Sequence, residues 1–131
     1  MKRDTRALGT KRDTRALGRY GEALAAEYLV RAGFRILARN VHLRHAELDL
    51  VALDRGALVF VEVRLRSSAR FGSGAESVDA RKRRRIIAAA RELLARGDLP
   101  RAPRIRFDVI AVDAAGDPPQ LTHFRDAFTA S

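Results

Sequence analysis

The sequence predicts an α/β domain in which a mixed four-stranded sheet is flanked by helices, in the order α-β-β-β-α-β. Three observations predict it. Two stretches, RYGEALAAEYLVRAGF and SVDARKRRRIIAAARELLARGD, place apolar residues at helical spacing. Four runs, FRILARNVHLR, AELDLVAL, ALVFVEVRL and RIRFDVIAVD, have strand length and strand composition. The 131 residues suffice for one core and little more. Because the second helix lies between the third and fourth strands, it acts as a crossover that brings the fourth strand parallel to the third.

The first 18 residues contain a short tandem copy, KRDTRALG at 2–9 and again at 11–18. No such unit recurs at the periods of stacked repeat folds, so residues 1–18 read as a flexible basic segment and 19–131 as one domain. In the first helix, Leu24, Ala25, Tyr28, Leu29 and Ala32 share a face, and Gly33 stands where a C-terminal cap belongs. Glu22 falls at the border of that face and can reach inward, whereas Glu27 points away. A first-turn carboxylate favoured by the helix dipole is the plainer account of Glu22.

The second and third strands are joined across Arg55-Gly56, a two-residue hairpin loop. That loop sets a register in which Asp49 faces Glu62 and Glu47 faces Arg64. One face of the hairpin is then aliphatic, with Leu48, Leu50, Ala52, Val59, Val61, Val63 and Leu65, and the other segregates Glu47, Asp49, Glu62 and Arg64 away from the turn. Opposed carboxylates repel, so the pair must raise one pKa or recruit a cation. A divalent ion, or neutralisation by Arg64 and neighbouring arginines, would serve.

The stretch SSARFGSGAES, residues 67–77, is a glycine- and serine-rich mobile connection. The second helix follows, with Ile86, Ile87, Ala90, Leu93 and Leu94 as its buried stripe, Gly97 as its stop, and five consecutive cations, Arg81, Lys82, Arg83, Arg84 and Arg85. PPQLTHFRDAFTAS reads as a tail whose Leu121, Phe124 and Phe128 dock on the domain, and His42, His45 and His123 as surface or boundary residues without local partners.

A formal charge of +10 favours a polyanionic partner, nucleic acid first, by counterion release. No apolar run approaches the ~20 residues of a membrane span and no secretion signal is evident, which points to a soluble cytoplasmic protein. The absence of cysteine excludes disulfides, thiolate nucleophiles and cysteine zinc sites.

The succession GRYGEALAAEYLVRAGFRILARN, AELDLVA, LVFVEVRLR, FGSGAESVDARKRRRI and RFDVIAV covers nearly the whole chain after residue 18 and resembles the YraN-like family of uncharacterised bacterial proteins. That family is similar to the PD-(D/E)xK nucleases, related in layout to archaeal Holliday junction resolvases. The resemblance implies a restriction-endonuclease-like core with a site composed of Glu22, Asp49, Glu62 and Arg64. It further implies magnesium, with manganese as a substitute, held by Asp49, Glu62 and the Val63 carbonyl, and a phosphate contact from Lys82. Ala46 stands where the family usually has glycine, and Arg64 where the superfamily has lysine. The function implied is that of a metal-dependent nucleic-acid phosphodiesterase, a structure-selective, resolvase-like DNA endonuclease. A non-catalytic nucleic-acid-binding protein retaining the nuclease fold is the alternative; a ribosome- or membrane-associated basic adaptor would explain the charge but not the opposed carboxylates. DNA is the expected partner, and a homodimer presenting two sites is compatible with this reading.

Overall fold

A computed structural model of the chain describes residues 11–66 and 78–130. The first octapeptide copy and the 67–77 connection, both expected to be flexible, lie outside the described residues. The elements run α1 (Lys11–Arg31), β1 (Arg35–His42), β2 (Glu47–Asp54), β3 (Ala57–Arg66), α2 (Ala80–Ala95), β4 (Arg104–Asp113) and β5 (Gln120–Phe128). They build one five-stranded sheet in sequential order, with β3 and β4 parallel and every other neighbour antiparallel. None of the described helices is long and apolar enough to cross a membrane.

Helix α1 starts earlier than its apolar stripe predicts and contains the second octapeptide copy. Arg, Ala and Leu are good helix formers, and extending an existing helix avoids the cost of nucleation. Its C-terminus closes as expected at Gly33, whose φ of 97° is accessible to glycine without strain. The Gly33 N–H donates to the Val30 carbonyl and the Phe34 N–H to that of Leu29, a Schellman closure. Helix α2 is capped by Asp79, whose carboxylate accepts from the Lys82 N–H at 2.9 Å.

The alternation of β3 divides the interior. Val59 and Val61 pack with Ala25, Ala26 and Leu29 of α1 on one face. Leu58 and Phe60 pack with Ile86, Ala89, Ala90 and Leu93 of α2 on the other. Phe60, Phe107 and Phe128 stack across three adjacent strands, with centroids 5.6 and 5.1 Å apart. Burying each such ring contributes about 2–3 kcal/mol.

Two expectations are corrected here. The four-stranded sheet gains a fifth strand, because the tail pairs antiparallel with β4 as β5 instead of merely docking through Leu121, Phe124 and Phe128. His123 sits at the boundary but is not without partners: only 5% of its side chain is exposed, and it links two elements. Its Nε2 lies 2.7 Å from Asp108 Oδ2, and Tyr28 Oη of α1 lies 3.0 Å from its Nδ1. Asp108 is fully buried and also accepts from Arg106 Nε at 2.8 Å and Nη2 at 2.9 Å, and from the Asp126 N–H at 2.9 Å. That last bond sits at a bulge in the β4–β5 ladder, where Asp126 takes a φ of 54°. Burial alone would raise the Asp108 pKa, but the hydrogen bonds from His123, Arg106 and Asp126 outweigh it and hold the group below its ordinary range. Removing this charge strands its donors, so Asp108→Asn should cost about 3–5 kcal/mol, read as a lowered urea midpoint at unchanged m-value. A loss below about 1 kcal/mol would show that the network is dispensable.

Candidate functional site

The β2–β3 ladder follows the register set by the hairpin loop, from Asp54↔Ala57 to Leu50↔Val61. At Asp49 a side chain takes over from the backbone: its Oδ2 accepts the Val63 N–H at 2.9 Å. The alternation of β2 breaks at the same point. Leu50 and Ala52 pack on the α1 face as expected, whereas Leu48 turns to the α2 face, a departure from the single aliphatic face predicted for the hairpin.

Three carboxylates converge there. Glu22, Glu47 and Asp49 each offer an oxygen within 4.8 Å of the others. Glu22 reaches the group because α1 approaches β3 closely at the preceding residue. A Cβ on Gly21 would stand 3.1 Å from Leu65 Cδ1, so even alanine there would force the leucine to shift. Glu27, by contrast, is exposed and paired with Arg31 on the outer face. Asn40 in β1, at a φ of 51°, closes the group. With its amide nitrogen turned toward the acidic oxygens, it lies 2.7 Å from Glu22 Oε1 and 3.0 Å from Glu47 Oε1.

Glu62 lies beside this group, and 6% of its surface is exposed. Its nearest cations, Arg64 Nη1 and Lys82 Nζ, each stand 3.7 Å away, near the outer limit of ion pairing. Burial and then the Asp49 carboxylate push its pKa up to about 8 against the pull of Lys82 and Arg64. Asp49 is also raised, chiefly by burial, although the Val63 N–H and the Glu62 hydrogen bond pull it down. Both carboxyls are therefore raised, and side by side in a buried setting they resist losing both protons. Burial, with the Asp49 and Glu47 charges, raises Glu22 in the same direction.

The predicted site residues Glu22, Asp49, Glu62 and Arg64 thus meet, and Val63 meets them through its N–H. The β2–β3 register runs to Leu50↔Val61, short of Glu47 and Arg64, and Glu47 sits opposite His42 in the β1–β2 ladder, with His42 Nδ1 at 3.4 Å. The spacing Glu47-Leu48-Asp49 carried the signal for Glu47, since alternate strand residues share a face. No local pattern announced Asn40. The five-cation run is divided. Lys82 turns to Glu62, while Arg83 donates to the Val78 carbonyl at 2.8 Å and lies over the Phe128 ring. Arg81, Arg84 and Arg85 are exposed.

Among known proteins, residues 21–112 match the model of the uncharacterised protein family UPF0102, a span that includes the whole carboxylate group. A UPF0102 protein of Xanthomonas campestris pv. campestris (strain B100) is 52% identical over 107 residues, 82% of this chain and 86% of its own. Relatives from Anaeromyxobacter dehalogenans (strain 2CP-C) and Symbiobacterium thermophilum are 50% and 49% identical, over 84% and 74% of this chain and 81% of their own lengths in both cases.

The raised Glu62 carboxyl fixes the sign of a pH effect. Folding raises the Glu62 pKa from an ordinary value near 4.5 to about 8, so its contribution to stability is complete below about pH 4.5 and is lost as pH rises toward 8. Asp108, depressed on folding, acts in the opposite sense and only at acid pH. The melting temperature in EDTA should fall between about pH 5 and about pH 8, and Glu62→Gln should flatten that decline. A natural profile already flat over this range would mean that folding does not raise the Glu62 pKa.

Proposed function

The chain belongs to the uncharacterised protein family UPF0102, and we propose that it is a magnesium-dependent nucleic-acid phosphodiesterase, a structure-selective DNA endonuclease acting in the cytoplasm. The observation that carries this reading is the convergence of Glu22, Glu47 and Asp49 within 4.8 Å, beside a buried Glu62. Hard carboxylate oxygens placed together without a matching number of cations fit magnesium or manganese. Asp49 and Glu62 would hold the ion with the Val63 carbonyl, and Glu22 and Glu47 would do so directly or through water. A bound ion would supply a water of lowered pKa and polarise the phosphoryl oxygen.

The chain's own residues supply the remaining chemistry. Asp49 is fixed by the Val63 N–H, so its second oxygen has a defined direction. The Asn40 amide holds Glu22 and Glu47 together against their repulsion. Lys82 and Arg64, both 3.7 Å from the same Glu62 oxygen, would present positive charge where a phosphate enters. Arg64 cannot surrender a proton at any working pH, so it positions phosphate and stabilises developing charge but does not act as a base. That restriction favours the second reading, a nucleic-acid-binding protein that keeps the nuclease fold without cleavage.

The deciding experiment offers four-way-junction, flap, duplex and single-stranded DNA to the natural protein, Asp49→Asn and Arg64→Lys, with magnesium or manganese. The expected result is slow metal-dependent nicking that Asp49→Asn reduces by more than about 100-fold and Arg64→Lys preserves or increases. Activity surviving in Asp49→Asn would place the chemistry elsewhere. Three inert proteins that bind DNA equally would select the binding reading. Separately, either ion at about 100 times its dissociation constant should stabilise the natural protein by about 2.7 kcal/mol, and Asp49→Asn should remove the gain. Identical melting with and without metal would count against an ion at this site.

A further inference from the structure

The turn between β1 and β2 is tied to the outer face of α2 by the Arg44 N–H, which donates to Glu92 Oε1 at 3.1 Å. Between them lies an open cleft of about 420 Å³, lined by Arg44, His45, Ala88, Arg91 and Glu92. Arg44, His45 and Arg91 are exposed, and among the described residues neither arginine side chain has a carboxylate partner. Glu92 does not cancel them, because one of its oxygens holds the turn and the other accepts from Arg96 at 3.3 Å. Ala88 keeps the floor low: a longer side chain there would occupy the cleft.

Helical periodicity connects this cleft to the carboxylate site. At about 100° per residue, Arg81, Arg84, Arg85, Ala88 and Arg91 share the face of α2 opposite its buried residues Ile86, Ala89, Ala90 and Leu93. The exposed arginines therefore form a row, running from the turn that carries Lys82 to the cleft. From Arg84 to Arg91, which lie within about 20° of each other on this face, is about 10–11 Å along the axis at ~1.5 Å per residue. A nucleic-acid strand advances ~3.4 Å per nucleotide, so that distance is about three nucleotides.

We propose that this cleft is a second backbone-phosphate subsite, in which Arg44 and Arg91 grip a phosphate about three nucleotides from one held at Arg84. It rests on the nucleic-acid reading above and names where the strand lies. Two arginines lining one cleft over a small-residue floor suit a tetrahedral oxyanion, and the row of arginines supplies a path for a continuous polyanion.

The test measures association with a DNA duplex as a function of salt, for the natural protein, Arg44→Ala/Arg91→Ala, Ala88→Leu and Arg101→Ala. Replacing the Arg44 side chain leaves its backbone tie to Glu92 intact, and leucine is a good helix former at position 88. Loss of one phosphate contact should make the slope of log association constant against log salt shallower by about 0.9 in both cleft variants. Ala88→Leu makes the proposal distinguishable from a bulk charge effect, because it leaves the net charge unchanged. Arg101→Ala, an exposed cation away from the cleft, should leave the slope as it is. Natural slopes in both cleft variants would overturn the subsite while leaving DNA binding in place. Failure of the natural protein to bind DNA at any salt would overturn the nucleic-acid reading and the subsite together.

Discussion

One hydrogen bond, from the Val63 N–H to Asp49 Oδ2, organises the end of the sheet at which the carboxylates gather. Where a strand ladder would continue with backbone groups, a carboxylate replaces the carbonyl. Three consequences follow from that substitution. The paired register stops at Leu50↔Val61, Leu48 is turned to the opposite core, and Asp49 is held against Glu62. A sheet built for stability alone gains nothing from ending in this way, since directly apposed carboxylates destabilise a strand pair. What it gains is a fixed set of oxygens whose charge is left to be balanced by a proton or a cation.

The protein buries acidic groups at two places and treats them differently. Asp108 receives four hydrogen bonds from Arg106, His123 and Asp126, and its charge is satisfied within the fold. Glu62 receives two cations only at 3.7 Å and faces another carboxylate. The first arrangement depresses a pKa and the second raises one. A closed network of this kind holds structure together; an open one invites a ligand. The two are also mechanically joined, since Tyr28 of the helix that carries Glu22 is hydrogen-bonded to His123, and His123 to Asp108.

Much of this was legible in the sequence. The Arg55-Gly56 loop set the hairpin register correctly, Gly33 marked the helix end, and the crossover made β4 parallel to β3. The pairing of Asp49 with Glu62 followed from the same register. What could not be read were single polar bonds between residues far apart in the chain. β5 looked like a tail because His123, Arg125 and Asp126 interrupt its apolar pattern. They are accommodated because Asp108 and Asp54, on other strands, receive them. The turn of Leu48 and the bridging by Asn40 likewise depend on partners that no local periodicity records.

The basic run of α2 shows how a charge count becomes a function only after geometry divides it. Five consecutive cations look like one electrostatic patch, but an α-helix sends neighbouring residues about 100° apart. Arg83 is committed to the Val78 carbonyl and the Phe128 ring, so its role is to seat the helix. Lys82 faces Glu62 and belongs to the carboxylate site. Arg81, Arg84 and Arg85 remain on the outer face, exposed to solvent. The three roles require the residues to be adjacent, because only the first turns of α2 touch the sheet, the site and solvent at once. A run of identical charge is in this setting a consequence of helical geometry at one junction, and the net charge of the chain understates how specifically its cations are placed.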